Sequence, residues 1–456
     1  MRPLAAATAA CLALAAASLA LGHEPVYDAW AWLVWGRELA SLGLDISSGP
    51  SWKPLPVALA VPLSVAGDTA PELWLVFVRA AWLLALVLAA QLAAQLAAGT
   101  GASRGARIAA GAFAAASLAL LTDPVTAWGR QAAGGMSEPL LVALVLGALR
   151  AQLGGRPRLA LLCGALAALV RPEVWPLLAA YGLWRWRAEP ATRPLLAALA
   201  LALPALWLGP DLLAAGDALG SAGRAQRDGG GPLVALARAA ALPLAAAWPL
   251  ALVAVAGRDR RLLVLGAGAL GWIAIVAAMA AAGFPGLPRF MAPPAAVVGV
   301  LGGAGLARLI AARHAPAVAA LGVVLAGVTA LQLPGRVAEL PRALRTTARV
   351  GHSHDRLRAL AGAVGDDALL RCGNLATSDV LVRTALAWEL RVPLADVVSF
   401  GAPPRLSGAF VVGPQASPRL RDDVRAVAEP LGAQGEWRAY SLQCPPPSAG
   451  VSGARR

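Results

Sequence analysis

The chain has little charge and almost no lysine. Only 14% of its 456 residues are charged and 58% are hydrophobic, whereas a soluble globular protein has about 25% charged residues. This shortage of charge excludes an ordinary soluble protein. Lys53 is the only lysine, so every other basic side chain is an arginine. Arginines in cytoplasmic loops account for the net charge of +14, which is therefore weak evidence for a nucleic-acid partner.

Cysteine is scarce as well, with four residues and no CxxC pair. The sequence therefore lacks zinc-ligand spacing. It also has no GxGxxG step after a strand and no Walker motif, so the common nucleotide-binding loops are excluded. Cys11 and Cys163 lie in apolar stretches and are expected to be packing residues.

Long apolar runs are abundant. Stretches near the ~20 residues needed to cross a bilayer recur through the first 335 positions, for example at 73–98 and 262–283. These runs predict a polytopic, all-α membrane protein. Residues 1–22 form a signal peptide or a first transmembrane helix, and we favour the retained helix.

The distribution of arginine predicts the topology, since cytoplasmic loops collect basic residues. Five arginine-rich loops alternate with the apolar runs, and their only acids are Glu189 and Asp259; the loops are residues 99–107, 150–158, 185–193, 257–261 and 307–314. This pattern predicts about eleven spans, with the N-terminus in the cytoplasm and the C-terminus outside. The count requires residues 159–184 to form two short helices.

The same topology divides the chain into two domains. Residues 1–335 form the transmembrane domain, which includes a long external loop at 23–71, and residues 336–456 form an external tail. Within the loop, Trp32 and Trp35 share a helical stripe with Leu39 and Leu42, a pattern typical of a helix in the membrane interface. The proline-broken segment 54–67 predicts a second interfacial or half-buried helix.

The tail has the pattern of a small α/β domain. We predict helices over 354–365 and 377–390, the latter capped by Thr377 or Ser378, and strands over 367–373, 407–413 and 436–444. Cys372 and Cys444 each end a predicted strand on the oxidising side, so the two could form a disulfide.

Several ionisable residues from distant parts of the chain come to the external interface in this topology. They are Asp28, Lys53, Asp123, Glu138, Arg171, Glu173 and Arg289. An acid there could take a proton from a hydroxyl, and cations could hold a phosphate leaving group. Together these groups indicate a transferase that uses a lipid-linked phosphate.

The order of these motifs resembles the GT-C superfamily of membrane glycosyltransferases, which includes protein O-mannosyltransferases and lipid A aminoarabinose transferases. The resemblance covers most of residues 4–335. It rests on an acid after the first helix, a KP step, an arginine leading the next span, an acid–proline pair, and the stretches "LVRPEVW" and "RFMAPP": Asp28, Lys53–Pro54, Arg79, Glu138–Pro139, Arg171 and Arg289–Phe290. The chain departs from the family in having a lone Asp28 where an acidic pair is usual.

The resemblance implies an inverting glycosyltransferase that moves a sugar from a polyprenyl-phosphate donor to an acceptor hydroxyl at the external face. Asp28 would be the general base. Lys53, Arg289, Arg79 and Arg171 would bind the donor phosphate. It also implies a multi-pass protein of the bacterial plasma membrane.

Other assignments stay open at this stage. Glu138 and Asp123 would serve the acceptor or a divalent metal such as Mg or Mn, with no tightly bound cofactor otherwise expected. The acceptor would be a glycan, a lipid or a protein, and nucleic acid is not expected. A lipid-linked substrate transporter or flippase and a non-catalytic membrane scaffold are the rival classes. A flippase predicts repeat symmetry and ionisable residues at the bilayer midplane, and the sequence shows neither.

Overall fold

The computed structural model describes residues 2–122, 128–226, 230–312, 315–371, 373–402 and 407–443. Within these ranges, five helical segments are long and apolar enough to cross a membrane: Pro54–Gly99, Pro190–Ala214, Arg260–Ala281, Pro288–Ala311 and Pro316–Val364. The predicted membrane class is therefore supported. The predicted count of about eleven spans is not confirmed.

The helices fall into two groups along the chain. Those of the first half are α1 (Arg2–Ala17), α2 (Tyr27–Ala40), α3 (Pro54–Leu63), α4 (Ala70–Gly99), α5 (Arg104–Ala119), α6 (Trp128–Ala133), α7 (Glu138–Leu153), α8 (Pro157–Ala168), α9 (Trp175–Ala188) and α10 (Arg193–Ala215). Those of the second half are α11 (Gly220–Ala225), α12 (Gly231–Ala241), α13 (Ala247–Ala256), α14 (Arg260–Ala281), α15 (Ala292–Ala311), α16 (Pro316–Val364), α17 (Asp366–Leu370), α18 (Arg383–Glu389) and α19 (Pro418–Val427).

Helix α15 lies at the centre of the helical body. It packs against α5 and α13 through small residues, where backbones can approach closely. A Cβ added at Gly305 would lie 1.8 Å from the Leu250 carbonyl oxygen, and one at Gly303 would lie 2.4 Å from the Ala110 carbonyl oxygen. Any larger residue at these two positions would force the helices apart.

The segment 159–184 forms two short helices, as predicted. Helix α8 ends at Ala168, and Arg171 has an extended backbone (φ −149°, ψ 132°) ahead of Pro172. Proline disfavours the helical conformation in the residue before it, so the chain breaks at this point. The break leaves Arg171 between two helices.

The two helices predicted for the first external loop are α2 and α3. Trp32 and Trp35 are fully buried, and α2 packs closely on α3 at Gly36. The predicted continuation of their stripe to Leu42 is wrong. Helix α2 ends at Ala40, and Leu42 has a positive φ of 58° and is 92% exposed.

The C-terminal domain is a five-stranded mixed sheet with helices against it. Its strands are β1 (Leu375–Thr377), β2 (Val397–Ser399), β3 (Gly408–Val412), β4 (Glu429–Gln434) and β5 (Trp437–Leu442), in the order β2-β1-β3-β5-β4. β1 pairs in parallel with β2 and β3, whereas β5 pairs antiparallel with β3 and β4. The predicted strands at 407–413 and 436–444 are confirmed.

Two predictions for the tail are wrong. Residues 366–370 form α17 rather than a strand, and the strand begins later, at Leu375. The predicted helix 377–390 begins only at Arg383, because Thr377 pairs within β1 and the Ser378 hydroxyl accepts a bond from Gly413 N. The predicted helix at 354–365 is present as the end of α16.

Helix α16 connects the helical body to the sheet without a loop. It runs for 49 residues, and positions 335 and 336 both lie within it. Its C-terminal part packs under the sheet, where Leu357 and Leu360 join Leu375 and Trp437 in one hydrophobic cluster.

Candidate active site

Glu138 lies at the centre of a buried group of charges. It is the first residue of α7, and its side chain is fully buried. Its Oε1 lies 3.2 Å from Arg171 Nη2, 3.8 Å from Arg289 Nε and 4.0 Å from Lys53 Nζ. The residues of this charge cluster are far apart in sequence, so the fold brings together cations that were predicted separately.

Lys53 is held from three sides. It directly precedes Pro54 at the start of α3, and its extended backbone aims the side chain at α7. Its Nζ donates to the Ser137 hydroxyl at 2.9 Å and lies 4.9 Å from the centre of the Trp32 ring. An ammonium over an aromatic face is attracted by the ring. This position therefore suits a compact point charge.

Arg171 is held by the chain break between α8 and α9. Its Nη1 lies 3.3 Å from Glu173 Oε1, and its guanidinium carbon lies 3.5 Å from the centre of the Phe290 ring. A guanidinium is flat and can stack on an aromatic face. Glu173 and Phe290 therefore orient this cation as well as neutralise part of it.

Arg289 links the buried charges to Asp28. It lies in a 3₁₀ turn, Pro288–Met291, just before α15. Its Nη1 lies 3.8 Å from Asp28 Oδ2 in the first turn of α2. The Asp28 side chain is 20% exposed and that of Glu138 is 0% exposed. Of the two carboxylates, Asp28 is the one that a ligand could reach.

Burial and charge shift two pKa values in opposite senses. Burial lowers the pKa of Lys53 to about 8, and Glu138 offsets only part of that effect. Burial alone would raise the pKa of Glu138, but Lys53, Arg289 and Arg171 together hold it below its usual value. Glu138 is therefore ionised at neutral pH, and Lys53 is close to titrating.

The cluster carries an excess of positive charge. Three cations face two fully buried carboxylates, Glu138 and Glu173, so one positive charge remains. A buried charge without a partner is costly and usually marks a function. Asp28 at the edge of the cluster balances this charge until an anion arrives.

The other predicted site residues lie elsewhere. The Arg79 guanidinium donates to the Ser18 carbonyl and hydroxyl and to the Ala133 carbonyl, which gives it the contacts of a structural residue. Asp123, Cys372 and Cys444 lie outside the described residues.

Sequence reasoning missed the neutral partners of the charges. Trp32 follows Asp28 by one helical turn, and Ser137 directly precedes Glu138. Their spacing in the sequence therefore indicates that both lie near the charged residues. Trp128 and Gln131 lie beside Glu138 in a small cavity, and no pattern in the sequence points to them. Within the part of the chain that the structure describes, no group of three or more His, Cys, Asp or Glu side chains could hold a metal ion.

Comparisons with known proteins support the fold. No protein-family model matches the chain, and no curated protein matches it. Two solved structures are similar in fold: ArnT from Cupriavidus metallidurans in the apo state (TM-score 0.55) and the same protein bound to undecaprenyl phosphate (TM-score 0.56). Each is 16% identical to the chain, and each alignment covers 96% of this chain and 97% of the other. ArnT is a lipid A aminoarabinose transferase with the GT-C fold. The predicted resemblance to the GT-C superfamily is therefore confirmed at the level of the fold.

Proposed function

We propose that this protein is an inverting glycosyltransferase that moves a sugar from a polyprenyl-phosphate donor to an acceptor hydroxyl. The observation that carries the proposal is the charge cluster at Glu138 with Asp28 at its accessible edge. A base and an anion-binding group next to each other are what such a displacement requires.

The reaction is a single displacement. Asp28 takes the proton of the acceptor hydroxyl while the hydroxyl oxygen bonds to the anomeric carbon of the sugar. The bond from that carbon to the phosphate oxygen breaks, its electron pair stays on the phosphate, and the configuration inverts. The leaving group changes from a phosphodiester with one negative charge to a monoester with two. No general acid is needed if this new charge is met by cations, in contrast to glycoside hydrolysis.

In this reaction, three cations bind the leaving phosphate and stabilise its new negative charge: Lys53, Arg171 and Arg289. The positive charge left in the cluster complements the phosphodiester of the bound donor. Glu138 holds the three cations at one point and lowers their mutual repulsion, so the site is organised before the donor binds. Glu138 thus acts as a positioning residue. A divalent metal at Glu138 would have to enter among three cations, which like-charge repulsion disfavours.

The donor class is supported by the solved structure of ArnT bound to undecaprenyl phosphate. The anion-binding chemistry of the charge cluster agrees with such a donor. The partition of arginines between alternate loops supports a plasma-membrane protein whose site faces outside, with the N-terminus in the cytoplasm and the C-terminal domain external. The sugar is a hexose or a pentose, and the acceptor is a glycan, a lipid or a protein.

A transfer assay tests the proposal. Purified protein in liposomes is given undecaprenyl phosphate carrying radiolabelled mannose or arabinofuranose, together with membrane extracts as acceptors. We expect label to move to an acceptor with inversion at the anomeric carbon. Movement of the intact donor across the bilayer without transfer would instead support the flippase.

A further inference from the structure

The helix that carries Asp28 begins without a cap of its own. Helix α2 starts at Tyr27, and Val26 before it has no polar side chain to bond the first amide groups. Uncapped helix ends fray, so contacts from elsewhere must fix this one. Asp28 lies in the first turn, and its position therefore depends on those contacts.

Two backbone groups directly before Asp28 are bonded to other parts of the molecule. Val26 N donates to the Gly134 carbonyl, just after α6, at 2.9 Å. The Tyr27 carbonyl accepts from the Thr384 hydroxyl at 3.1 Å, and Thr384 is fully buried in α18 of the C-terminal domain. The start of α2 is therefore held between the helical body and the C-terminal domain.

A buried carboxylate makes a second connection between this turn and the C-terminal domain. Glu24 Oε1 accepts from Trp30 Nε1 at 3.1 Å and lies 2.5 Å from His354 Nδ1 of α16. Glu24 and His354 are both more than nine-tenths buried. Trp30 also packs on Trp388 of α18, with the ring centroids 5.9 Å apart. Residues on both sides of Asp28 in the sequence therefore contact α16 and α18.

The Asp28 side chain itself has few contacts. Among the residues that the structure describes, its carboxylate has one charged partner, Arg289 Nη1 at 3.8 Å, and no hydrogen bond. In the proposed reaction the donor phosphate becomes the partner of Arg289, and the carboxylate then depends on the backbone of α2 for its position. A general base must lie within hydrogen-bond reach of the proton that it takes, and a misplacement of about 1 Å costs about 100-fold in rate. The position of the α2 backbone therefore matters for the reaction.

We infer that the C-terminal domain positions the general base: Thr384 and His354 fix the first turn of α2 and thereby hold the Asp28 carboxylate within reach of the acceptor hydroxyl. The inference rests on the proposed function and gives the C-terminal domain a part in catalysis. Both are positioning residues, since they act through the Tyr27 carbonyl and the Glu24 carboxylate.

Two substitutions of Thr384 test the inference. Thr384→Val keeps the shape of the side chain and removes the hydroxyl, and we expect kcat to fall by about 5–10-fold as the first turn of α2 loosens. Thr384→Ser keeps the hydroxyl and should restore kcat to within about 2-fold of the wild type. The measurement is transfer from undecaprenyl phosphate carrying mannose or arabinofuranose, expressed per folded molecule.

His354 gives an independent pair of variants. His354→Leu removes the contact to Glu24, and we expect a similar fall in kcat, about 5–10-fold. In His354→Asn the side-chain amide can donate a hydrogen bond to Glu24, and a partial recovery is expected.

A second background separates the positioning of Asp28 from a general loss of structure. In Asp28→Asn no base remains to be positioned, so adding Thr384→Val should lower the residual rate by less than about 2-fold. Affinity for undecaprenyl phosphate should also change by less than about 2-fold in the Thr384 and His354 variants, because the cations of the charge cluster keep their contacts.

Thr347→Val is the matched control. Thr347 is buried in α16, and its hydroxyl donates to the Ala343 carbonyl of the same helix at 3.0 Å. The variant loses the same kind of hydrogen bond, but one that does not involve α2, and it should keep the kcat of the wild type.

Results of two kinds would overturn the inference. If the wild type transfers sugar and Thr384→Val and His354→Leu both keep its kcat, these residues only join the domains, and the inference fails while the proposed function stands. The same holds if Thr384→Ser is as slow as Thr384→Val, or if Thr384→Val lowers the rate equally with and without Asp28→Asn. If the wild type transfers neither sugar, the proposed function fails and the inference fails with it.

Discussion

The two ends of helix α2 place charged side chains in two different settings. At its first turn, Asp28 faces Arg289 and, beyond it, the charge cluster around Glu138. At its last turn, Arg37 donates to the carbonyls of Ala387, Trp388 and Val392 in the C-terminal domain. The Asp28–Arg289 contact can break when a ligand binds, because a ligand anion could replace Asp28. The three hydrogen bonds of Arg37 instead join α2 to the C-terminal domain. A charged side chain therefore indicates function when its partners are other charged side chains that a ligand could replace.

Asp28→Asn should have the largest effect. The amide cannot take a proton, and a positioned base contributes about 10²–10⁴-fold, so turnover should fall by at least about 100-fold. Donor affinity should change by less than about 3-fold, because the three cations remain. A transfer assay and donor titration on the same preparation measure both. Asp68→Asn is the control, since Asp68 is a largely exposed carboxylate of the same predicted loop. Equal losses in the two variants would remove Asp28 from the mechanism.

Arg37→Met should affect stability at the other end of α2. Three carbonyls lose a charged donor, and we expect a loss of about 2–3 kcal/mol in unfolding free energy, with kcat per folded molecule unchanged. Thermal unfolding in detergent measures the stability. Arg391→Met is the matched control, because Arg391 pairs with Asp68 in an exposed contact worth about 0–1 kcal/mol. If Arg37→Met had the stability of the wild type but a lower kcat, Arg37 would have a functional role, and the two ends of α2 would not differ in the way described.

Lys53→Met should weaken donor binding and the rate together. One of three cations around the phosphate disappears, and we expect donor affinity to fall by about 10-fold. Titration with undecaprenyl phosphate measures the affinity. Lys53→Arg restores the charge with a different shape, so a partial recovery is expected. If the donor affinity of Lys53→Met were unchanged, Lys53 would only pack against Trp32 and would not bind the donor phosphate.

The pH dependence of donor binding should be the smallest effect. With the pKa of Lys53 lowered to about 8 by burial, the charged fraction falls as pH rises, and affinity should drop by about 2-fold between pH 7 and pH 8. Folding stability also depends on this group. The unfolded chain binds the Lys53 proton up to the ordinary lysine pKa of 10.5, whereas the folded protein binds it only below about 8. The contribution of Lys53 to stability therefore falls as pH drops from about 10.5 to about 8, and it stays constant below about pH 8. In Lys53→Arg the drop in affinity should vanish, and its persistence would assign the titration to another group.

The sequence predicted the charged residues of the site better than their arrangement. Lys53 stood out as the only lysine, and the order of Asp28, Glu138, Arg171 and Arg289 pointed to one family of folds. The central role of Glu138 could not be predicted, since three cations meet at it only through tertiary packing.

The errors in the tail have a similar cause. The sequence predicts no strand at β4, because β4 is an edge strand that contains Pro430 and Gly432 and lacks the apolar alternation of a strand. The apolar content of residues 367–373 predicts a strand, but a short apolar run fits a helix equally well, and Asp366–Leu370 is helical. In both cases the pairing partner, which the sequence does not reveal, decides the local structure.

The unbroken course of α16 has a practical consequence. A helix of 49 residues spans about 74 Å at 1.5 Å per residue. Residues 316–364 therefore contain no extended segment that a protease could bind and cleave. The sheet should therefore resist release from the helical body by limited proteolysis. A fragment started at Arg336 would begin in mid-helix, with its first amide groups stripped of their partners.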